Sequence, residues 1–343
     1  MTGLRLTINR KAVLSDIFRF LSYITFRKII NYSSLLHSYI YSVWRRKAGL
    51  TGSPCSLTVE PLSICNLACP ECPTGSAELT RQMGVIRKDD YYSFIDQTYK
   101  NLLNLSLYFQ GEPYLHPYFF DLISYAHEHK IYTSCSTNGH FLTELFSKRT
   151  IKAGLDRLII SLDGTDENSY REYRKGGNFD TVIQGIHNMV ALKKEMKVSN
   201  PLIVIQFLVL RTNEHLIGDI KKLAGDLQVD VLELKTARFN DFKKGNPLMP
   251  ENEQYCRYKK MPGGDYVIKK RLKNSCFRMW SSSVITWDGL VVPCCFDKDA
   301  ANQLGSLNQN SFKEIWSSDK YDLFRNKLLQ ERKGIEICRN CTT

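Results

Sequence analysis

The 343-residue chain has no run of eighteen apolar residues, so the sequence predicts no membrane-spanning helix. It also lacks a secretory signal pattern. Arg10, Lys11, Asp16 and Arg19 interrupt every apolar run near the start, and no small-residue cleavage site follows. No stretch is low-complexity, and a hydrophobic content of 43% is enough for a real core, which excludes a disordered or fibrous chain. Histidine is scarce: the seven present form no ligand-spaced cluster, so a histidine-built metal site is not expected. Acids are nearly missing from residues 1–50, which hold nine Lys or Arg and only Asp16 on the acidic side. That extension carries +8 of the chain's net +12, so the remaining residues are only mildly basic.

What the chain does have is cysteine. Eleven cysteines without a secretory signal point to a reducing, cytoplasmic compartment, where clustered thiols bind metals rather than pair. Three of them, Cys65, Cys69 and Cys72, stand in a C-x3-C-x2-C run. A loop of this kind can wrap three thiolates around three irons of a [4Fe–4S] cube and leave the fourth iron open for another ligand. Structural zinc is the competing reading, but zinc favours four ligands in two close pairs.

Residues 51–240 alternate strand and helix signals. Strand-like runs are Leu57–Glu60, Leu105–Gln110, Ile131–Ser136, Arg157–Asp163, Leu202–Leu210 and Asp230–Lys235. Helical stretches such as Tyr118–His129, Asp180–Glu195 and Glu214–Leu227 lie between them. Repeated β–α alternation predicts a parallel sheet, since each strand needs a crossover to return in the same direction. Periodicity alone leaves a doubly wound sheet and a barrel both open. After residue 240, Asn240 to Pro247 reads as a linker rich in turn formers. Residues 251–275 are basic and without clear period; Ile285–Val292 reads as a hairpin with Asp288-Gly289 at its turn. Cys276, Cys294, Cys338 and Cys341 then offer four further thiols, which suit either a second cluster or a zinc ribbon. Cys55, Cys135 and Cys256 have no metal-spaced partners and read as buried free thiols, with Cys256 the one placed to meet substrate.

The cysteine loop, taken with the strand-end motifs Gly111-Glu112-Pro113, Ser136-Thr137-Asn138-Gly139 and Ser161-Leu162-Asp163-Gly164, resembles the radical SAM superfamily. The pattern of Cys276, Gly289-x4-Cys294, Leu304-Gly305, Ile315-Trp316 and Cys338-x2-Cys341 resembles the SPASM/twitch auxiliary domain of that superfamily in its shorter form. Two departures stand out: Glu71 replaces an aromatic residue before the third cysteine, and the fifth strand lacks a glycine-rich pattern. Neither removes a cluster ligand.

The resemblance implies an α/β fold: a partial (β/α)6 TIM-like barrel over residues 51–240, a small α+β auxiliary-cluster domain over 241–343 and a basic, amphipathic helical extension over 1–50. It implies a SAM-binding [4Fe–4S] cluster on Cys65, Cys69 and Cys72, which would be the catalytic centre. A second, auxiliary [4Fe–4S] cluster would sit on Cys276, Cys294, Cys338 and Cys341. S-adenosylmethionine would be held by Glu112, Ser161, Arg174, Asn138 and Asp163: Glu112 at the methionine amino group, Arg174 at its carboxylate and Ser161 at the ribose. The expected reaction is reductive cleavage of SAM to a 5′-deoxyadenosyl radical that abstracts hydrogen from a small or lipid-linked metabolite, a net oxidation helped by the auxiliary cluster. A flavodoxin or ferredoxin would supply electrons. The cysteine layout resembles that of aminocyclitol dehydrogenases. A peptide maturase and a non-catalytic metal-binding module are the alternatives. Nucleic acid is not an expected partner, because the basic residues come without a recognition module.

In residues 1–50, Leu14, Ile17, Leu21 and Ile24 recur at helical spacing beside Phe18, as do Leu35/Leu36, Tyr39/Ile40 and Val43/Trp44. With flanking Arg and Lys, these stripes fit peripheral contact with the cytoplasmic membrane face or packing on the barrel. The run Lys269-Lys270-Arg271 would then meet the phosphate of a lipid-linked substrate.

Overall fold

The computed structural model describes residues 3–342. The chain opens with β1 (Gly3–Thr7), α1 (Arg10–Ser22) and α2 (Phe26–Arg45). There follow β2 (Ser56–Val59), α3 (Lys88–Thr98), β3 (Asn104–Ser106), α4 (Phe119–Glu128), β4 (Tyr132–Thr137), α5 (Glu144–Lys152), β5 (Arg157–Ser161), α6 (Glu167–Tyr173), α7 (Phe179–Glu195), β6 (Leu202–Val209), α8 (Ile217–Asp226) and β7 (Val231–Thr236). The remainder holds β8 (Tyr258–Lys260), β9 (Tyr266–Ile268), α9 (Arg278–Ser281), β10 (Ser282–Ile285), β11 (Leu290–Val292), β12 (Gly305–Ser306), α10 (Phe312–Trp316) and α11 (Asp319–Glu331).

Strands β2 to β7 pair in sequence order, all parallel, with helices covering the outer face, which is the expected partial barrel. Side-chain alternation separates two environments. Leu158, Ile160, Ile203, Ile205 and Leu232 face the helices in one large apolar core. Ile159, Leu202, Val204 and Val231 face the lumen, where Ala12 of α1 packs against them and plugs its lower end. Higher in the lumen the register brings Ser161, Gln206 and Glu233 side by side, so the cavity turns polar toward the C-terminal strand ends.

Both sheet edges are covered. β1, which the sequence pattern does not predict, lies antiparallel on β7 with Thr7 opposite Val231. β10 lies parallel on β2, and β11 and β12 continue the same sheet. The auxiliary unit is therefore an extension of the barrel sheet, with its hairpin at the expected Asp288-Gly289 turn. The aperiodic basic segment contains a second, two-stranded sheet, β8–β9, which closes over Pro262-Gly263-Gly264.

α1 and α2 cross beneath the barrel. Each tie reaches a residue at or just before a strand start. Asn9 Nδ2 donates to Asp230 (3.1 Å), Tyr23 to Asp156 (3.1 Å), Lys28 Nζ to the Lys130 carbonyl (2.8 Å) and Asn31 Nδ2 to the Ser53 carbonyl (2.8 Å). Tyr132, the first residue of β4, donates to Asp16 (2.7 Å).

Candidate active site and auxiliary metal centre

The loop after β2 carries Cys65, Cys69 and Cys72 at the C-terminal end of the barrel strands, where function sits in folds of this type. The loop is held closed by its own backbone: Cys72 N–H donates to the Cys69 carbonyl (3.2 Å), and Leu67 N–H points at Cys65 Sγ (3.4 Å). Gly75 allows this closure, since a Cβ there would come within 2.6 Å of Cys69 N. The three sulfurs share one environment with Leu67 and Tyr173. Burial pushes the Cys65 thiol up to about 11, and Glu112, Cys69 and Cys72 add to the rise; Cys69 is also raised, by burial first. Thiols gathered in such a place are poor free thiolates and need a cationic metal group to deprotonate them. The donor set fits the three protein-held irons of a cube.

Asn138 ties this loop to β4. Its Nδ2 donates to Asn66 Oδ1 (2.7 Å) and approaches Cys65 Sγ (3.9 Å). Its Oδ1 accepts from the His140 backbone N–H (3.1 Å) and lies 3.0 Å from His140 Nδ1. Because His140 Nε2 accepts from Asn178 N–H (2.9 Å), the ring proton belongs on Nδ1. Glu112 is fully buried just below. Oε1 accepts from Thr137 (2.8 Å) and Tyr114 N–H (3.2 Å), and Oε2 from Asn138 N–H (2.7 Å). Burial raises its pKa to about 7 against the pull of these donors. Gly111 before it needs φ of +72°, and a Cβ would strike the carbonyls of Leu62 (2.6 Å) and Ile64 (2.7 Å). The carboxylate thus braces the strand ends; its Oε2, with one donor among the described residues, keeps acceptor capacity for an ammonium group.

Arg174 follows α6 and reaches back over the loop. Nε donates to Asp163 Oδ2 (2.6 Å) and Nη1 lies 3.8 Å from Cys69 Sγ. Burial opposes the charge, but the Asp163 carboxylate and the Cys69 sulfur outweigh it and hold the pKa above the usual arginine range. Asp163 is fully buried and also accepts from Leu208 N–H (2.7 Å), so it sets the guanidinium rather than closing a simple turn. Ser161 sits on the lumen face two residues earlier. The structure thus gathers Glu112, Asn138, Asp163, Arg174 and Ser161 around one mouth.

Sequence patterns alone do not point to Asn66, His140, Lys298 or Arg238. Lys298 lies where burial depresses its pKa, beside Cys72, Arg238 and Cys295. Arg238 stacks on Phe296 (4.4 Å), and its buried Nε has no hydrogen-bond partner among the described residues. Glu71 accepts from Asn246 Nδ2 (2.9 Å) and so ties the cysteine loop to the linker. Of the unassigned thiols, Cys55, Cys135 and Cys256 are all buried.

The second set surrounds a narrow closed cavity. Cys276, Cys294, Cys338 and Cys341 line it with Met279, Phe296 and Leu328. Cys295 is not in the lining; its sulfur lies 3.7 Å from Nη1 of Arg278, which is. Arg332 Nη2 lies 3.3 Å from Cys341 Sγ. Burial raises Cys294 far above the ordinary thiol range and Cys338 to about 11. The four thiols line one space, and a four-thiolate donor set fits the four irons of a cube.

A partial barrel with a three-thiol loop at its mouth and a closed four-thiol cavity on the extended sheet defines an iron–sulfur enzyme built for an exchangeable ligand at one cluster. A model of the radical SAM superfamily matches residues 59–217, and one of an iron–sulfur cluster-binding domain, SPASM, matches residues 276–342. The chain belongs to the radical SAM superfamily and carries a SPASM-type auxiliary domain. Its cofactors are [4Fe–4S] clusters and S-adenosylmethionine. Among curated proteins it is similar to a tungsten-containing aldehyde ferredoxin oxidoreductase cofactor-modifying protein of Pyrococcus furiosus, 25% identical over 299 residues, covering 78% of this chain and 82% of that one. The fold is similar to that of BtrN in complex with AdoMet and 2-DOIA (TM-score 0.54, 19% identity, 86% of this chain and 95% of that one). It is also similar to Streptococcus suis SuiB bound to precursor peptide SuiA (TM-score 0.61, 13% identity, 89% and 74%).

Proposed function

We propose that the enzyme carries out a net two-electron oxidation of a small polar metabolite; an auxiliary cluster held by Cys276, Cys294, Cys338 and Cys341 would take the second electron as the substrate radical gives up a proton to solvent. When bound, the cluster and SAM supply the chemistry: reductive cleavage to a 5′-deoxyadenosyl radical, which takes a hydrogen atom from substrate. The chain's own residues hold and orient. Arg174, fixed by Asp163, offers a fork to a carboxylate; Glu112 offers acceptor capacity to an ammonium group; Asn138 fixes the loop; Ser161 presents a hydroxyl from the lumen.

The observation that carries the oxidative reading is the auxiliary cavity. Four thiols line it, among mainly apolar side chains and the two arginines Arg278 and Arg332, so a cluster there has no free iron for substrate and is suited to pass electrons. The polar upper lumen and the Arg238 guanidinium, stacked on Phe296, favour a hydroxylated or anionic substrate. The Pyrococcus relative, named for modifying a cofactor, fits a small-molecule substrate. A peptide substrate is the second reading, favoured by the solved complex of SuiB with its precursor peptide. We assign the reducing role to a flavodoxin or ferredoxin.

The test is anaerobic turnover of reduced, reconstituted enzyme with SAM and deuterated polyols, amino sugars or peptides. Deuterium should enter 5′-deoxyadenosine from a small polar substrate, with a product two electrons more oxidised. Deuterium transfer from peptides alone would overturn the small-metabolite reading.

A further inference from the structure

α2 carries apolar side chains on two faces, and Leu35, Tyr39 and Val43 serve the core. The face it buries against the protein carries Lys28, Asn31, Leu35, Ser38 and Ser42. The face it gives to solvent carries Phe26, Ile29, Ile30, Ile40 and Trp44, spaced as one stripe along the helix. Phe26 is 77% exposed and Trp44 78%. α1 continues the pattern with Leu14, Ile17, Phe18 and Leu21 at i, i+3, i+4 and i+7, all exposed. A soluble surface normally scatters its apolar side chains singly, and contiguous stripes mark a contact surface.

We propose that α1 and α2 form an interfacial membrane anchor that lies in the headgroup region of an anionic bilayer. Charge selects this occupant. Arg10, Lys11, Arg27, Arg45, Arg46 and Lys47 are exposed around the stripes. The one acid of the extension, Asp16, is half-buried and engaged by Tyr132. Two copies of such a surface would repel each other, whereas anionic headgroups attract it. Tyr41 and Trp44, with Arg45 donating to the Tyr41 hydroxyl (2.7 Å), place amphipathic rings at one end of the stripe, as interfacial segments do. No described helix is long and apolar enough to cross a membrane, so the contact is peripheral.

The anchor also fixes orientation. α1 and α2 touch the starts of the barrel strands, whereas the cysteine loop stands at their ends. The mouth therefore opens away from the bilayer, roughly 20 Å above the anchor for a six-residue strand. The enzyme is held at the surface and fed from the aqueous side. A substrate still embedded in the bilayer would have to leave it to reach the mouth.

The experiment is co-sedimentation of reconstituted full-length enzyme with vesicles of phosphatidylglycerol and phosphatidylethanolamine, and with phosphatidylcholine alone. The wild type should bind the anionic vesicles at least tenfold better and release as salt rises from 0.1 to 0.5 M. Phe18→Glu with Trp44→Glu should lower binding at least tenfold while SAM cleavage in solution stays within twofold. Vesicle-bound wild type should keep its cleavage rate. Equal binding of the wild type and the double variant would overturn the anchor. So would a wild-type dimer that the variant dissolves into monomers. Loss of cleavage on vesicles would overturn the orientation.

Discussion

The two cysteine sets share a chain and a sheet but not a setting. Around Cys65, Cys69 and Cys72 the neighbours are polar and aimed: Asn138 through Asn66, Arg174 through Asp163, and Glu112 beneath. Around Cys276, Cys294, Cys338 and Cys341 they are mainly apolar, Met279, Phe296 and Leu328 among them, with Arg278 and Arg332 also in the lining. The polar site is the one with three thiols, and the apolar site is the one with four. Where a cube keeps an open iron, the protein surrounds it with groups able to hold a ligand. Where the protein supplies every ligand, it surrounds the cluster with mainly apolar side chains, which tune its potential instead.

The largest test of this division is removal of the loop thiols. Cys65→Ala, Cys69→Ala and Cys72→Ala together should abolish 5′-deoxyadenosine, a fall to background, while leaving about four of about eight irons per chain. Product at more than background would mean that the open iron lies elsewhere. The mirror test is Cys294→Ala. It should also halve the iron but leave SAM cleavage measurable and cut substrate oxidation at least tenfold. Cys295→Ala should keep both clusters, because Cys276, Cys294, Cys338 and Cys341 line the cavity and Cys295 does not. If Cys295→Ala loses iron and Cys294→Ala does not, the adjacent pair has been read in the wrong order.

Sequence spacing makes the cysteine loop legible because a local loop is enough to surround a cube. The six parallel strands are legible too, within one or two residues for most ends, since buried parallel strands are continuous apolar runs. What spacing hides is convergence. Asn66 and Asn138 are 72 residues apart and meet at 2.7 Å; Arg174 and Cys69 meet across 105. Asp163-Gly164 looks like turn chemistry until the fold brings Arg174 beside it. β1 is hidden because a short edge strand borrows its order from β7. Helical periodicity finds the stripes of α1 and α2 but cannot say which side faces the core. In α2 the inner face mixes both kinds: Leu35, Tyr39 and Val43 pack on the core, while Lys28 and Asn31 satisfy carbonyls beneath the barrel.

A smaller effect probes the polar site alone. Asp163→Asn keeps an acceptor for Leu208 N–H but leaves the Arg174 guanidinium buried without its counter-charge. Breaking one side of a buried pair costs about 3–5 kcal/mol. The urea midpoint should fall with an unchanged m-value, and SAM binding should weaken at least tenfold. An unchanged midpoint would mean that Asp163 and Arg174 are not coupled as their 2.6 Å contact implies.

The finest distinction is electrostatic. Glu112 has a folded pKa of about 7, raised by burial above the ordinary carboxylate value. A carboxyl raised on folding stabilises the fold fully only below its unfolded pKa, near 4.3, where both states are protonated. As pH climbs from there to about 7, the unfolded chain releases this proton and the folded chain holds it, so stability drains away; above 7 the loss is complete. At about 1.4 kcal/mol per unit, the total is about 4 kcal/mol. Urea unfolding of the metal-free protein, compared with Glu112→Gln across pH 4 to 8, isolates the group. The wild type should lose stability relative to the variant through that window and then run parallel to it. Cys294→Ala should keep the slope, because no carboxylate lines the auxiliary cavity among the described residues. A slope that vanishes in Cys294→Ala but survives in Glu112→Gln would place the titrating group on the wrong side of the molecule.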